Sequence, residues 1–123
     1  MDENELNRIT EKIIGSAFTV SNTLGSGFLE KVYENALVHE LQKTGLHVQR
    51  QYSLQVKYDG ILVGEYVADV LVEDAVLVEL KATKALDEIH MAQCLNYLRA
   101  SRLHLCLLLN FGKPKLEIKR IVL

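Results

Sequence analysis

The sequence predicts an α/β fold in which helices pack on one sheet. The sheet is expected to be mixed, with parallel and antiparallel strands as in α+β proteins. Two segments with apolar residues at helical spacing come first, and three strand-like segments follow them. A third helical segment then lies between two strongly apolar runs, 75–81 and 103–109. A strand–helix–strand unit of this length implies parallel pairing through a right-handed crossover. With 123 residues, of which 49% are hydrophobic, residues 1–123 are expected to form a single domain.

Each element follows from its own pattern. The helices are predicted at 6–24, about 28–44 and 86–101, and the strands at 46–58, 61–72, 75–81, 103–109 and 116–122. Asp59-Gly60 is a strong hairpin signal between the first two strands. Alternation predicts one apolar face on the first strand, formed by Leu46, Val48, Tyr52, Leu54 and Val56. The last helix is predicted to bury Ile89, Ala92, Leu95 and Leu98.

Three charged residues interrupt the apolar strands, and such residues are almost never fully buried without a partner. They are Asp69 in the second strand, and Glu79 and Lys81 in the third. A three-residue loop at 73–75 pairs Val72 with Val76 and therefore places Asp69 opposite Glu79, with Cβ atoms roughly 5 Å apart. A two-residue loop would shift the register and turn Asp69 away. We expect the three-residue loop.

Two carboxylates at this distance repel each other, so a counter-charge is expected. A divalent cation is one solution, because Mg²⁺ takes one or two carboxylates together with waters and phosphate oxygens. Lys81, on the same strand face as Glu79, could hold an attacking water or a phosphate oxygen. A structural ion pair on a half-exposed strand is the alternative, since surface pairs are common.

Two further polar residues could face this cluster. Glu30 falls within the inward arc of the second helix, in line with Tyr33, Leu37 and Leu41, and a buried carboxylate needs a partner. Gln93 lies one turn before Tyr97 on the helix that follows Lys81. A hydrogen-bonded structural role for Glu30 and a solvent-facing position for Gln93 remain open alternatives.

Composition narrows the classes of function. The net charge is −2, with an acidic first part and a basic remainder, so bulk charge alone does not indicate a nucleic-acid-binding protein. Cys94 and Cys106 lack metal-site spacing and are expected to be reduced core thiols. The acidic start and the lack of a long apolar run predict a cytoplasmic protein without a membrane segment.

The ordered set of motifs resembles a known family. The segments Gly27-Phe28-Leu29-Glu30-Lys31-Val32-Tyr33, Ala68-Asp69, Val78-Glu79-Leu80-Lys81-Ala82, Ala92-Gln93 and Asn110-Phe111-Gly112 are similar to those of the GxxExxY protein family. That family is part of the PD-(D/E)XK nuclease-like superfamily, whose core has the order αβββαβ. The resemblance implies this core with an extra N-terminal helix and a C-terminal edge strand. Val67 stands where the superfamily name has proline.

The resemblance also implies roles for individual residues. Asp69, Glu79 and the backbone carbonyl of Leu80 would bind Mg²⁺ or Mn²⁺, and Glu30 would support or complete that metal site. Lys81 would orient or activate the water, and Gln93 would contact the site. The implied function is a metal-dependent nuclease that hydrolyses phosphodiester bonds of nucleic acid.

Other functions stay open at this point. They are a non-catalytic nucleic-acid or protein-interaction module and a small-molecule-binding domain on the same fold. Lys84, Lys113 and Lys115 are candidates for contacting nucleic-acid phosphates. The small size of the chain also leads us to expect a homodimer or a protein partner.

Overall fold

The order of helices and strands follows the predicted order. A computed structural model describes residues 1–123. The helices are α1 (Glu3–Leu24), α2 (Glu30–Lys43) and α3 (Glu88–Ser101), and the strands are β1 (Val48–Tyr58), β2 (Ile61–Val72), β3 (Val76–Lys81), β4 (Leu105–Asn110) and β5 (Glu117–Val122). No helix has both the length and the apolar character needed to cross a bilayer.

The five strands form one mixed sheet in the order β1-β2-β3-β4-β5. β1, β2 and β3 form an antiparallel meander, β3 and β4 are parallel, and β5 is antiparallel to β4. The parallel pair is the one that the strand–helix–strand pattern predicted. β5 lies at an edge of the sheet, also as predicted, and β1 forms the opposite edge.

Helices cover both faces of the sheet. α1 and α2 pack on one face, where 18 buried residues form a core around Tyr33, Leu37 and Leu107. α3 packs on the other face over a smaller core of 10 buried residues, which includes Cys94 and Cys106. Both cysteines are free and buried, in agreement with the expected reduced thiols. β3 and β4 are therefore shielded on both sides, which explains why their sequences are almost continuously apolar.

The prediction of one apolar face along β1 was wrong. Val48 packs against the α1/α2 core, whereas Tyr52 and Leu54 pack against the α3 core. Gln51 lies between them with a φ of 51°, a left-handed conformation that interrupts the regular alternation of side chains. Strand pairing is interrupted at the same point, between Arg50↔Val70 and Tyr52↔Ala68. The irregularity lies beside Asp69.

The predicted inward stripe of α3 was also wrong in part. Ile89 is 77% exposed and Ala92 is exposed, whereas Leu98 is buried as expected. The buried residues of this helix are Cys94, Tyr97 and Leu98. The face of α3 that packs on the sheet is therefore the one with Cys94, Tyr97 and Leu98. With this orientation, Gln93 reaches Lys81 at the end of β3.

The loops that follow β3 and β4 are joined by a polar residue and a close backbone contact. Asn110 is fully buried, and its side chain bonds both the N–H and the carbonyl of Thr83. Gly112 approaches the same loop so closely that an added Cβ would lie 2.3 Å from backbone atoms of Thr83. The backbone of the loop after Lys81 therefore packs directly against Gly112, which leaves no room for a side chain at position 112.

The close contact at Gly112 predicts that a side chain at this position destabilises the protein. We expect Gly112→Ala to lower the free energy of unfolding by about 3 kcal/mol, because the backbone of the 82–83 loop must move. Gly15→Ala is the matched control: Gly15 lies in α1 with no atom within 4 Å of an added Cβ, so alanine should stabilise the helix by up to about 1 kcal/mol. Urea denaturation measures both values, and equal stability of the two variants would contradict this view of the loop.

Candidate active site

Asp69 and Glu79 are brought together as the three-residue loop predicted. Val72 pairs with Val76 and Val70 with Val78, which places Asp69 beside Glu79 at the point where β2 and β3 separate. There each carboxylate takes a backbone N–H of the other strand. The N–H of Asp69 donates to Oε1 of Glu79 at 2.8 Å, and the N–H of Leu80 donates to Oδ2 of Asp69 at 2.9 Å. The two side chains thus take the place of backbone hydrogen bonds between β2 and β3. These contacts fix the orientation of both carboxylates.

The second oxygen of each carboxylate remains available. Neither Oε2 of Glu79 nor Oδ1 of Asp69 has a hydrogen-bond partner in the protein, and no fully buried side-chain oxygen lacks one. Both oxygens must therefore reach solvent at the mouth of the cleft, although Glu79 as a whole is only 3% exposed. Leu80 directs its N–H toward Asp69. Because the N–H and C=O of one strand residue point to the same side, its carbonyl also faces Asp69.

The electrostatics of this pair are unfavourable without a cation. Burial and then the charge of Asp69 raise the pKa of Glu79 to about 8. Burial also raises the pKa of Asp69; the hydrogen bond from Leu80 opposes this shift, and the negative charge of Glu34 adds to it. Both shifts mean that the folded protein disfavours two charges at this position.

Lys81 and Gln93 are in contact, and the sequence had left open whether Gln93 faces the site or the solvent. Nζ of Lys81 donates to Oε1 of Gln93 at 3.2 Å. Nε2 of Gln93 donates in turn to the hydroxyl of Tyr97 at 3.0 Å. Burial, together with the charges of Glu79 and Asp69, raises the pKa of Tyr97 to about 12, so its hydroxyl stays protonated. This chain of contacts fixes the ammonium group beside the carboxylate pair, which lies on the same strand face.

The predicted inward position of Glu30 was wrong. Glu30 is the first residue of α2 and is exposed, without any ion pair. Its angular position on the helix agrees with the buried arc of Leu37 and Leu41, but residues 30–32 at the start of α2 are exposed. The helical pattern indicates the direction of a side chain, whereas its burial depends on which other elements cover that part of the helix.

Glu34, one turn further along α2, occupies the position expected for Glu30. It is 4% exposed and is the first residue of the buried set Glu34, Leu37, Val38 and Leu41, which has the spacing i, i+3, i+4, i+7. That spacing, available in the sequence, could have identified it. The negative charge of Glu34 raises the pKa of Asp69, so Glu34 lies within electrostatic range of that carboxylate.

Glu34 is held by three donors. Arg50 and Gln51 of β1 donate to its two oxygens at 2.8 Å each, and Lys31 donates at 3.0 Å. Burial by itself would raise the pKa of Glu34, but the hydrogen bonds from Arg50 and Lys31 outweigh burial and the pKa is lowered. Glu34 is therefore ionised. The left-handed backbone at Gln51 directs this side chain toward α2 and thus contributes to the site.

Tyr33 explains the remaining part of the Gly-x-x-Glu-x-x-Tyr segment. Its hydroxyl donates to the carbonyl of Gly25 at 2.6 Å and accepts the N–H of Phe28, and its ring stacks on Phe111 at 4.8 Å. The tyrosine therefore fixes the start of α2 against the loop that follows β4. This is a structural role that positions Glu34, the next residue.

The donor set favours a hard cation that retains waters. No group of three or more His, Cys, Asp and Glu side chains is arranged to hold a metal ion. Two free carboxylate oxygens and a backbone carbonyl remain, which is too few for a closed zinc or calcium site. Mg²⁺ or Mn²⁺ is compatible with this set, since Mg²⁺ uses one or two carboxylates and completes its shell with water and substrate phosphate.

Comparison with known proteins agrees with this geometry. The sequence model of the PD-(D/E)XK nuclease superfamily matches residues 7–121. The chain belongs to the PD-(D/E)XK nuclease superfamily. Among solved structures, "Crystal structure of SSO0001" has a TM-score of 0.60 and 15% identity, and the match covers 98% of the present chain. The chain spans 58% of the length of that structure, and a search of curated proteins gives no match.

The superfamily assignment confirms the predicted fold class: a mixed α+β protein with a five-stranded sheet and three helices. At 15% identity, the similarity to the solved structure extends to the fold alone. PD-(D/E)XK nucleases generally use divalent metals, in agreement with the donor set described above.

Proposed function

We propose that this protein is a metal-dependent nuclease that hydrolyses phosphodiester bonds of nucleic acid. The observation that carries the proposal is the convergence of Asp69 and Glu79, with open oxygens, beside an ordered Lys81. A structural ion pair needs one carboxylate and one cation. Here two carboxylates share a buried position at an unfavourable pKa, an arrangement that costs stability and is typical of a functional site.

Asp69, Glu79 and the carbonyl of Leu80 are the residues that would hold Mg²⁺ or Mn²⁺. A bound ion of this kind makes water a stronger nucleophile and offsets negative charge on a phosphate. Glu34 takes the role that the resemblance implied for Glu30, the helix-borne acid that supports the metal site. Its contacts with Arg50 and Lys31 also keep two cations at the edge of the cleft.

Lys81 would donate a hydrogen bond to the phosphate or to the attacking water. Gln93 fixes the ammonium group for this task, and the Tyr97 hydroxyl fixes Gln93. Such preorganised donors contribute most when they need not move during the reaction. Gln93 and Tyr97 are positioning residues in this scheme, and Lys81 is the catalytic one.

The direct test is a cleavage assay. Wild-type protein with millimolar Mg²⁺ or Mn²⁺ should cleave at least one of four substrates: single- or double-stranded DNA or RNA. We expect Lys81→Ala to lower the rate by about 100-fold or more, the typical effect of removing one preorganised donor. Lys12→Ala, an exposed lysine of α1 on the other face of the sheet, is the matched control and should retain full activity. Absence of cleavage on all four substrates would favour a non-catalytic interaction module.

Further features belong to the same proposal. We also propose membership of the GxxExxY family, a cytoplasmic location, one domain over residues 1–123 and nucleic acid as partner. Lys84, Lys113 and Lys115 lie in the loops after β3 and β4, at the same end of the parallel strand pair as Lys81, and could contact phosphates. A homodimer or a protein partner would add substrate-binding surface to a chain of 123 residues.

A further inference from the structure

A groove of about 890 Å³ lies outside the carboxylate cleft, between β1 and the C-terminal half of α3. It is lined by residues 52–57 of β1, by Tyr66 of β2, and by Asn96 and residues 99–102 at the end of α3. None of the site residues described above is part of this lining. The groove therefore needs an explanation of its own.

All charged side chains that line the groove are positive. Lys57, Arg99 and Arg102 are its only charged residues, and all three are exposed. None forms an ion pair, and no carboxylate lines the groove. The protein as a whole carries a net charge of −2, so three unpaired cations in one groove are a local concentration of positive charge. Such a groove favours an anionic ligand.

The other lining groups fit the parts of a nucleic-acid strand. β1 is the outer strand of the sheet, so its outward N–H groups have no strand partner and can donate to phosphates at this edge. Tyr66 lines the groove and is 51% exposed. Aromatic rings stack on unpaired bases without regard to sequence. Bases inside a duplex are already stacked and cannot use such a ring, so this feature favours a single strand.

Direct contacts connect the groove with the cleft. The rings of Tyr66 and Tyr97 are 5.8 Å apart, and the hydroxyl of Tyr97 accepts a hydrogen bond from Gln93. Gln93 in turn holds Lys81. A nucleic-acid strand bound in the groove would thus reach the cleft past Tyr66, on the sheet face that α3 covers.

We infer that this groove binds a single-stranded segment of nucleic acid that extends from the cleft, with Arg99 and Arg102 on its phosphates and Tyr66 against a base. The inference rests on the proposed nuclease function and specifies its substrate class. An acidic peptide paired with the open edge of β1 is the competing occupant, but it would not need the exposed tyrosine.

The test is binding of a fluorescein-labelled 12-nucleotide oligothymidylate, measured by fluorescence anisotropy in EDTA so that no cleavage occurs. We expect the double variant Arg99→Gln/Arg102→Gln to bind about tenfold more weakly at low salt. The slope of log K against log salt concentration should fall by about 1.4, roughly 0.7 for each lost phosphate contact on a single strand. Tyr66→Ala should also weaken binding by about tenfold through lost stacking.

Arg8→Gln/Lys12→Gln removes the same charge from exposed positions of α1, on the opposite sheet face, and should leave the affinity within twofold. Thermal unfolding confirms that all variants are folded. Unchanged binding in the Arg99→Gln/Arg102→Gln variant would overturn the inference. Duplex binding as tight as single-strand binding, or an oligoglutamate peptide that displaces the oligonucleotide, would also overturn it.

The cleavage assay separates this inference from the proposed function. A wild type that cleaves while the groove variants bind and cleave normally would refute the groove alone. Binding that depends on the groove in a protein that never cleaves would support the groove and refute the nuclease.

Discussion

Glu34→Gln is expected to reduce metal-dependent cleavage by about 10- to 100-fold, the usual effect of losing a residue that supports a metal site. The physical reason is that Glu34 is buried, ionised and within electrostatic reach of Asp69. Glutamine keeps the shape of the side chain and removes its charge. The variant should also bind Mn²⁺ more weakly, a readout that a purely structural role would not change.

Glu30→Gln is the matched control for this prediction. It makes the same chemical change four residues earlier on the same helix, at an exposed position. Its activity and its Mn²⁺ affinity should remain within about twofold of wild type. A loss of activity in Glu30→Gln with a fully active Glu34→Gln would restore the original assignment of the helix acid.

The metal-free protein is expected to lose stability as the pH rises from about 4.5 to about 8. The folded pKa of Glu79 is raised to about 8 from an ordinary value of 4.5, so the folded state binds a proton that the unfolded state has released over this range. The contribution is therefore complete below the unfolded pKa and is lost as the pH passes the folded one. We expect a change of a few kcal/mol in the free energy of unfolding.

Glu79→Gln isolates this contribution. The variant cannot ionise at position 79, so its unfolding free energy should change less between pH 5 and pH 8 than that of the wild type. Glu65→Gln, an exposed change on β2, should give a curve parallel to wild type. Denaturant titrations in EDTA at several pH values provide the measurement. Parallel curves for Glu79→Gln and wild type would mean that Glu79 is not strained by its surroundings.

The carboxylate pair could be predicted from sequence because local rules determine it. A loop of three residues fixes the register of β2 and β3, and the register fixes which residues face each other. The parallel β3–β4 pair followed in the same way from the length of its connection. These features depend on short stretches of chain and not on the packing of distant parts.

The helix acid and the groove depended on packing. The helical pattern indicates the direction of Glu30 but not which part of α2 is covered by other elements, so the inward residue was placed one turn too early. The left-handed residue Gln51, which turns Tyr52 and Leu54 to the opposite face from Val48, has no glycine or Asx signal. The groove combines residues about 40 positions apart on β1 and α3, and no motif relates them.

Thermal unfolding at pH 8, with and without millimolar Mn²⁺, tests the metal site most directly when wild type is compared with Asp69→Asn. Mn²⁺ should stabilise the wild type by about 2.7 kcal/mol at a concentration 100-fold above its Kd. Without metal, Asp69→Asn should be at least as stable as wild type, because it removes a repelling charge, and it should not respond to Mn²⁺. A destabilised Asp69→Asn together with a wild type that ignores Mn²⁺ would instead identify Asp69 as the partner of a structural ion pair.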